Sequence, residues 1–584
     1  IMGFRESKNF SLSSISSEIQ NFWSKNDVFS KSFNKENSSE FIFYEGPPSA
    51  NGQPGIHHVM ARTIKDAFCR YKTLKGYNVK RKAGWDTHGL PVELGVEKEL
   101  GISKDDIGDK ISISEYNNAC KEAVMKYTSE WESLTNKMGY WIDLSDPYVT
   151  YKPKYMETVW WLIKSISEKG LLYKGYTVQP YSPAAGSGLS SHELNQPGAY
   201  KQISDTSVIA QFKCVEDDTS AKFDSLYPFY FLAWTTTPWT LPSNTALTVG
   251  AKIEYSFIKT FNQYTKEKTT VVVASSLIEK VFGKNFFIVK HEDELETFQD
   301  SDSKIPYCVI TSCKGIDIEN LRYERVWDES PLPIDNPENA FRVILGDFVT
   351  TEDGTGIVHT APTFGADDYK AAKSATPEVP PLQVLDSNGN KVPLVDLKGK
   401  FIDGIGMISG KYVKNEYYEE GDMPEKSVDV EIAIRLKEKN LAFKVERYSH
   451  SYPHCWRTDK PVLYYPMESW FIKVSELTDK MFNLNKNINW KPSSTGEGRF
   501  GNWLKSANDW NLSRSRFWGV PLPIWVNEEN SEYKIVGSVE ELVNEINISI
   551  KKGYMKSNPF ANFEVGNMSE DNYDNIDLHK DVVD

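Results

Sequence analysis

Long apolar runs, paired cysteines and an excess of positive charge are all lacking in this 584-residue chain. No uninterrupted apolar segment approaches the length needed to cross a bilayer, so no membrane partner is expected. The first residues carry no secretory apolar core. The six cysteines are scattered, and none of their spacings suggests a disulfide framework. These absences together point to a cytoplasmic location. The formal net charge is −14, so an RNA partner would need a local basic surface. Lys72, Lys75, Lys80, Arg81 and Lys82 form one basic cluster, which by itself reads as a solvated charged face. Total charge therefore neither supports nor excludes RNA. The length is too great for one core, and several domains are expected.

What is present centres on residues 41–65, FIFYEGPPSANGQPGIHHVMARTIK. The aromatic and β-branched run at 41–44 predicts a buried strand. Residues 45–52 form a stiff turn of Pro, Gly and small side chains. Pro54-Gly55 is a second turn signal and leads to His57-His58. From Val59 the spacing is helical, with Val59, Ile64, Ala67, Phe68 and Tyr71 on one side. Such a strand–loop–helix turn offers backbone N–H groups, a helix N-terminus and imidazole donors to a polyphosphate. A turn of this kind without a ligand is the alternative.

Three further strings carry chemistry. GWDTHGLP at 84–91 puts Asp86 after a predicted strand at 79–84. A carboxylate there can pair with an α-ammonium group or cap the helix carrying Val92, Val96 and Leu100. From about residue 200 the composition turns β-rich. Within that region the run Thr235-Thr236-Thr237 offers hydroxyls to a ribose, a carbonyl or a water, although β propensity alone would also explain it. TGIVHTAPTFGADDY at 355–369 sets His359 on a strand and Asp367-Asp368 after a Gly turn, with helix capping as the plainer reading of the acids. Trp518, in DWNLSRSRFWGVP, reads as a pocket wall or as ordinary core.

GPPSANGQPGIHH, TIKDAFCRY and GWDTHGLPVE together resemble the N-terminal half of the class I isoleucyl-tRNA synthetases. The resemblance covers nearly the whole chain. It implies an α/β fold: the first half of a Rossmann-type catalytic domain, interrupted by a large insertion containing a β-rich editing domain. The expected division is an N-terminal helical segment at 1–40, the half-domain at 41–145 and a connecting segment at 146–199. The editing domain follows at 200–425 and a return segment at 426–508. The catalytic domain resumes at 509–584, with the start of a second insertion.

The family's His-x-Gly-His element falls on Gly55-Ile56-His57-His58, where the first His and the Gly have changed places. The resemblance implies that Gly55, His57 and His58 contact ATP, with the two histidines catalytic. Pro47, Asp86 and Trp518 would border isoleucine, Asp86 holding its ammonium group. Thr235, Thr236, Thr237, His359 and Asp368 would line the editing site, Asp368 gripping the ammonium of a mischarged valine. The implied substrates are isoleucine, tRNA(Ile) and ATP as its Mg²⁺ complex, with the protein expected as a monomer.

Many family members bind a structural zinc through two Cys-x-x-Cys elements. Here the positions are Ser182, Ala185, Cys455 and Thr458, so three of four thiolates are missing and no metal site is expected. The family's Lys-Met-Ser-Lys-Ser element, its later adenylate-binding string and its anticodon-binding bundle are not found in these residues. The chain is therefore expected to be part of a longer protein. Three other readings stay open: a fragment acting mainly as an editing hydrolase, a non-catalytic tRNA-binding module, and a valyl- or leucyl-type enzyme. GWDTHGLP disfavours the last.

Overall fold

The computed structural model describes residues 11–32, 38–387, 389–527 and 532–579. It contains two compact units, one made of Ile1–Tyr173 and Phe471–Asp584, the other of Lys174–Trp470.

The first unit is built on a parallel three-stranded sheet of β1 (Phe43–Tyr44), β2 (Arg81–Trp85) and β3 (Asp143–Val149), in that order. Parallel strands need a crossover, and helix α1 (Ile56–Leu74) supplies it between β1 and β2. Gly84 is fixed by packing: a Cβ there would fall 2.3 Å from the Tyr148 ring of β3. Tyr148 in turn donates to the Glu45 carbonyl at 2.8 Å, which locks the end of β1.

One expectation is corrected in this unit. The 41–44 strand is shorter than predicted and lies at the sheet edge, with Ile42 and Tyr44 exposed. The apolar side of α1 faces outward: Ile56, Met60, Ile64, Phe68, Tyr71 and Leu74 are each more than half exposed. The opposite side buries Arg62 and Cys69, because Arg62 has partners there: Glu45, the Thr135 hydroxyl at 2.7 Å and the face of Trp131. Residues 141–142 lead directly into β3. The N-terminal helix Leu12–Lys25 docks through Trp23, edge-on to Trp141 at 5.2 Å, while Leu12, Ile19 and Phe22 stay exposed.

The second unit holds a ten-stranded mixed sheet with a large aromatic and aliphatic core. Its central strand, β4 (Phe229–Thr235), pairs antiparallel with Tyr200–Lys213 on one side. On the other side it is shared by Lys268–Ala274 and by β5 (Ile357–Thr360), where Val358 pairs with Trp234. The unit is wider than 200–425. Strand Ala442–Pro453 runs alongside Tyr200–Lys213 from Ala442↔Ala210 to Pro453↔Tyr200, and backbone pairing of that length binds it to the sheet.

No helix among the described residues is long and apolar enough to cross a membrane. Ser182 accepts the Ala185 N–H at 3.2 Å as the cap of a short 3₁₀ turn, and Cys455 is fully buried. Among the described residues no group of three or more His, Cys, Asp or Glu is arranged to hold a metal.

Candidate functional site

In the first unit, Gly55 is the N-cap of α1 in extended backbone. Its N–H donates to His58 Nδ1 at 2.9 Å. With Nδ1 accepting, a neutral His58 carries its proton on Nε2. Burial, then the nearby His57 and Arg62, lower the His58 pKa and favour that neutral form. The His57 ring lies over Gly55: a Cβ on residue 55 would fall 2.8 Å from ring atom Cε1 and 2.9 Å from Nδ1. The imidazole of residue 57 thus fills the space that a side chain at 55 would need. The two imidazoles lie 3.7 Å apart. Trp131 braces the site, meeting His58 edge-on at 4.6 Å and donating to the Gly52 carbonyl at 2.9 Å.

Asp86 is joined to the same loop, its N–H donating to the Pro48 carbonyl at 3.0 Å, beside half-buried Pro47. Its carboxylate accepts the His88 backbone N–H, while partial desolvation raises its pKa. Trp518 is buried and held by two handles. Its indole N–H donates to the Thr87 carbonyl at 2.6 Å, and its backbone N–H donates to Glu93 Oε1 at 2.9 Å. Against it opens a cavity of about 700 Å³ lined by His88, Gly89, Lys104 and residues 512–522.

In the second unit the loop after β4 turns back as a 3₁₀ segment, Pro238–Ser243. The Thr235 and Thr237 hydroxyls are 3.3 Å apart, and Thr240 donates to the Thr237 carbonyl at 2.8 Å. His359 on β5 reaches Thr240 Oγ1 through Nε2 at 3.0 Å and Asn244 Nδ2 through Nδ1 at 2.8 Å. The Tyr323 hydroxyl donates to Asn244 Oδ1 at 2.7 Å, which fixes the amide orientation. Asn244 therefore donates to His359 Nδ1, and His359 Nε2–H donates to Thr240. Both ring nitrogens are engaged, and burial pushes the His359 pKa down to about 3.

Two residues past His359, the Ala361 N–H donates to Asp368 Oδ2 at 2.9 Å from the first turn of helix α2 (Ala366–Ser374). Burial raises the Asp368 pKa to about 6, against this hydrogen bond. Asp367 is exposed, whereas Asp368 is half-buried. The structure thus joins Thr235, Thr237 and His359 through hydrogen bonds and sets Asp368 next in line, while half-buried Thr236 lies between two members of the wall.

Several supporting residues escaped the sequence reading. Asp429 accepts the Trp239 N–H at 2.9 Å and so anchors the threonine-rich loop. Burial pushes its pKa to about 7 despite Lys414, whose ammonium lies 3.9 Å from Asp429 and 2.7 Å from Asp205. Tyr323, Thr240 and Asn244 complete the chain around His359, and Glu93 holds Trp518. The sequence marks Thr240 and Asn244 only as members of WTTTPWTLPSN. It carries no local signal for Tyr323, Lys414 or Asp429, which arrive from distant segments.

Residues 18–584 match the family of class I tRNA synthetases for I, L, M and V, and the chain belongs to that family. It is 55% identical over 601 aligned positions to the isoleucine–tRNA ligase of Bacteroides fragilis (strain YCH46), covering all of this chain and 52% of the relative. It is 52% identical to the isoleucine–tRNA ligase of Porphyromonas gingivalis (strain W83), again over the whole chain and 52% of the relative. Against that of Clostridium tetani (strain Massachusetts / E88) it is 41% identical, over 90% of this chain and 44% of the relative. The chain therefore spans about half the length of these curated relatives.

Proposed function

We propose that the protein containing this chain activates isoleucine with ATP and Mg²⁺ and transfers it to tRNA(Ile). In this reading the Lys174–Trp470 unit hydrolyses valyl-tRNA(Ile). The observation that carries the reading is the hydrogen-bonded cluster of Thr235, Thr237, Thr240, Asn244 and His359 with Asp368 at its edge. A second, sorting site is needed where an apolar pocket cannot reject a smaller substrate. One methylene is worth only about 1–3 kcal/mol, and isoleucine against valine is the standard illustration of that limit.

Activation joins the amino-acid carboxylate to the α-phosphorus of ATP and releases pyrophosphate. No enzyme nucleophile is required, only alignment and charge stabilisation. The N-terminus of α1, His57 and the Nε2–H of His58 supply donors for phosphate oxygens. Asp86 takes the ammonium group, with Pro47 and Trp518 beside the side chain. For editing, Asp368 in its charged form holds the valyl ammonium and the threonine hydroxyls orient water at the ester carbonyl. His359 works as a fixed donor to Thr240, since a ring with both nitrogens engaged is not free to accept a proton. A cytoplasmic, monomeric enzyme completes this reading.

The test is deacylation of valyl-tRNA(Ile) and isoleucyl-tRNA(Ile) by the full-length protein beside its Asp368→Ala variant. Rapid, Asp368-dependent loss of valine with isoleucine spared is expected. Equal hydrolysis of both esters, or none of either, would sink the editing assignment.

A further inference from the structure

Asp577 and His579 have no part in the chemistry described so far, yet they reach the amino-acid side of the first unit. The His579 ring is buried and stacks on the Trp518 indole, with centroids 4.4 Å apart and planes 7° from parallel. Its Nδ1 lies 2.5 Å from Asp577 Oδ1, and the same oxygen accepts the His579 backbone N–H at 2.9 Å. Its Nε2 lies 2.9 Å from Nε2 of His88. His88 meets Trp518 edge-on at 5.1 Å, and its backbone N–H is the one that Asp86 accepts.

We propose that His579 is a positioning residue for the amino-acid pocket. Clamped between the Asp577 carboxylate and the His88 imidazole, it fixes the Trp518 indole as a wall and ties that wall to the strand end carrying Asp86. The inference rests on the reading of this site as one that activates isoleucine.

The physical argument is one of degrees of freedom. Thr87 and Glu93 hold Trp518 by its two N–H groups and leave the tilt of the indole to its ring neighbours, of which Tyr151 lies 45° off its plane at 6.0 Å and His88 meets it edge-on. A parallel stack removes that tilt. The stacking ring is itself fixed, because its two nitrogens point to partners on opposite sides. With Nδ1–H donating to Asp577, one proton remains to be shared with His88, and neutral His88 supplies it from Nε2. A pocket that separates two substrates by one methylene depends on a wall that does not move.

The experiment is amino-acid-dependent ATP–pyrophosphate exchange by the full-length protein, run with all twenty amino acids for the parent. Isoleucine and valine are then compared in His579→Ala, His579→Phe and His579→Gln. In His579→Ala the KM for isoleucine is expected to rise about tenfold, with the KM for ATP unchanged and the isoleucine-to-valine ratio of kcat/KM reduced. His579→Phe keeps a flat ring against Trp518 and is expected to retain most of the ratio. His579→Gln keeps a polar partner for His88 without the stack and is not. If His579→Ala does not fold, the Phe and Gln variants decide alone. Unchanged isoleucine KM and ratio in a folded stack-less variant, or equal losses for isoleucine and ATP, would overturn the inference while leaving isoleucine activation standing. Parent exchange with another amino acid, or with none, would overturn the functional reading, and this inference would fall with it.

Discussion

In the first unit the groups assigned to the phosphates and to the ammonium stand open. Asp86 and His57 are exposed, His58 is half-buried, and α1 turns an uncovered apolar stripe outward. In the second unit the corresponding groups are closed in: Thr235, Thr240, Asn244 and His359 are buried and bonded to one another. Under the proposed function, the contrast follows from what each site would hold. A triphosphate brings its own charge and needs donors that can reach it, so a helix N-terminus and free imidazoles suffice. A chamber that sorts an ester by size needs walls that cannot relax, and buried polar groups give rigidity only when every partner is present.

The largest expected effect breaks the closed site. Lys414→Met leaves Asp205 and buried Asp429 without this cation and should cost the second unit about 3–5 kcal/mol in urea unfolding at about pH 9, where Asp429 is charged. The loss should already be smaller at neutral pH, because Asp429, whose pKa is about 7 with Lys414 beside it, titrates higher still without that cation and takes up a proton.

Next, Asp368→Ala should slow valyl-tRNA(Ile) deacylation by about 100-fold, the value of a charge-assisted contact to the ammonium group. Asp368→Asn should lose editing similarly and yet melt at higher temperature. The native carboxyl, with its pKa near 6, binds its proton more tightly than an unfolded one near 3.8, so its charge costs stability as pH rises through that window and above it. An Asn variant melting lower than its parent at neutral pH would contradict this.

In the open site, Asp86→Asn should raise the isoleucine KM about 10–100-fold in pyrophosphate exchange, with ATP KM unmoved. Gly55→Ala should lower kcat about tenfold by displacing His57, and Gly55→Ala with His57→Ala should be no worse than His57→Ala alone. Additive losses in that double variant would refute the exchange of space between the two positions.

The smallest effect is in the pH profile of deacylation. The rate should rise through about pH 6 with Asp368 and then level, with no second inflection from His359, whose pKa lies near 3. A step near pH 6.5 that vanishes in His359→Asn would show that this imidazole titrates during the reaction.

How much was legible depended on how local each cause was. Strand–turn–helix order at 41–65, Asp86 at a strand end and the strand carrying His359 all follow from short-range pattern, and the structure has them. The outward direction of the α1 stripe was not legible, because periodicity reports that a face is apolar but not whether anything covers it. The width of the second unit was missed because Ala442–Pro453 joins its sheet more than 200 residues after its pairing partner.

The sequence by itself determined the family, the order of elements and the identity of the side chains that carry charge or hydroxyls, since these depend on residue type and on spacing within one turn or strand. Only the tertiary structure decided that His57 occupies the room left by Gly55, that His359 has no free nitrogen, and that His579 lies flat on Trp518. Each of these is a contact or hydrogen bond whose existence depends on distances of a few ångströms, and such distances are set by packing.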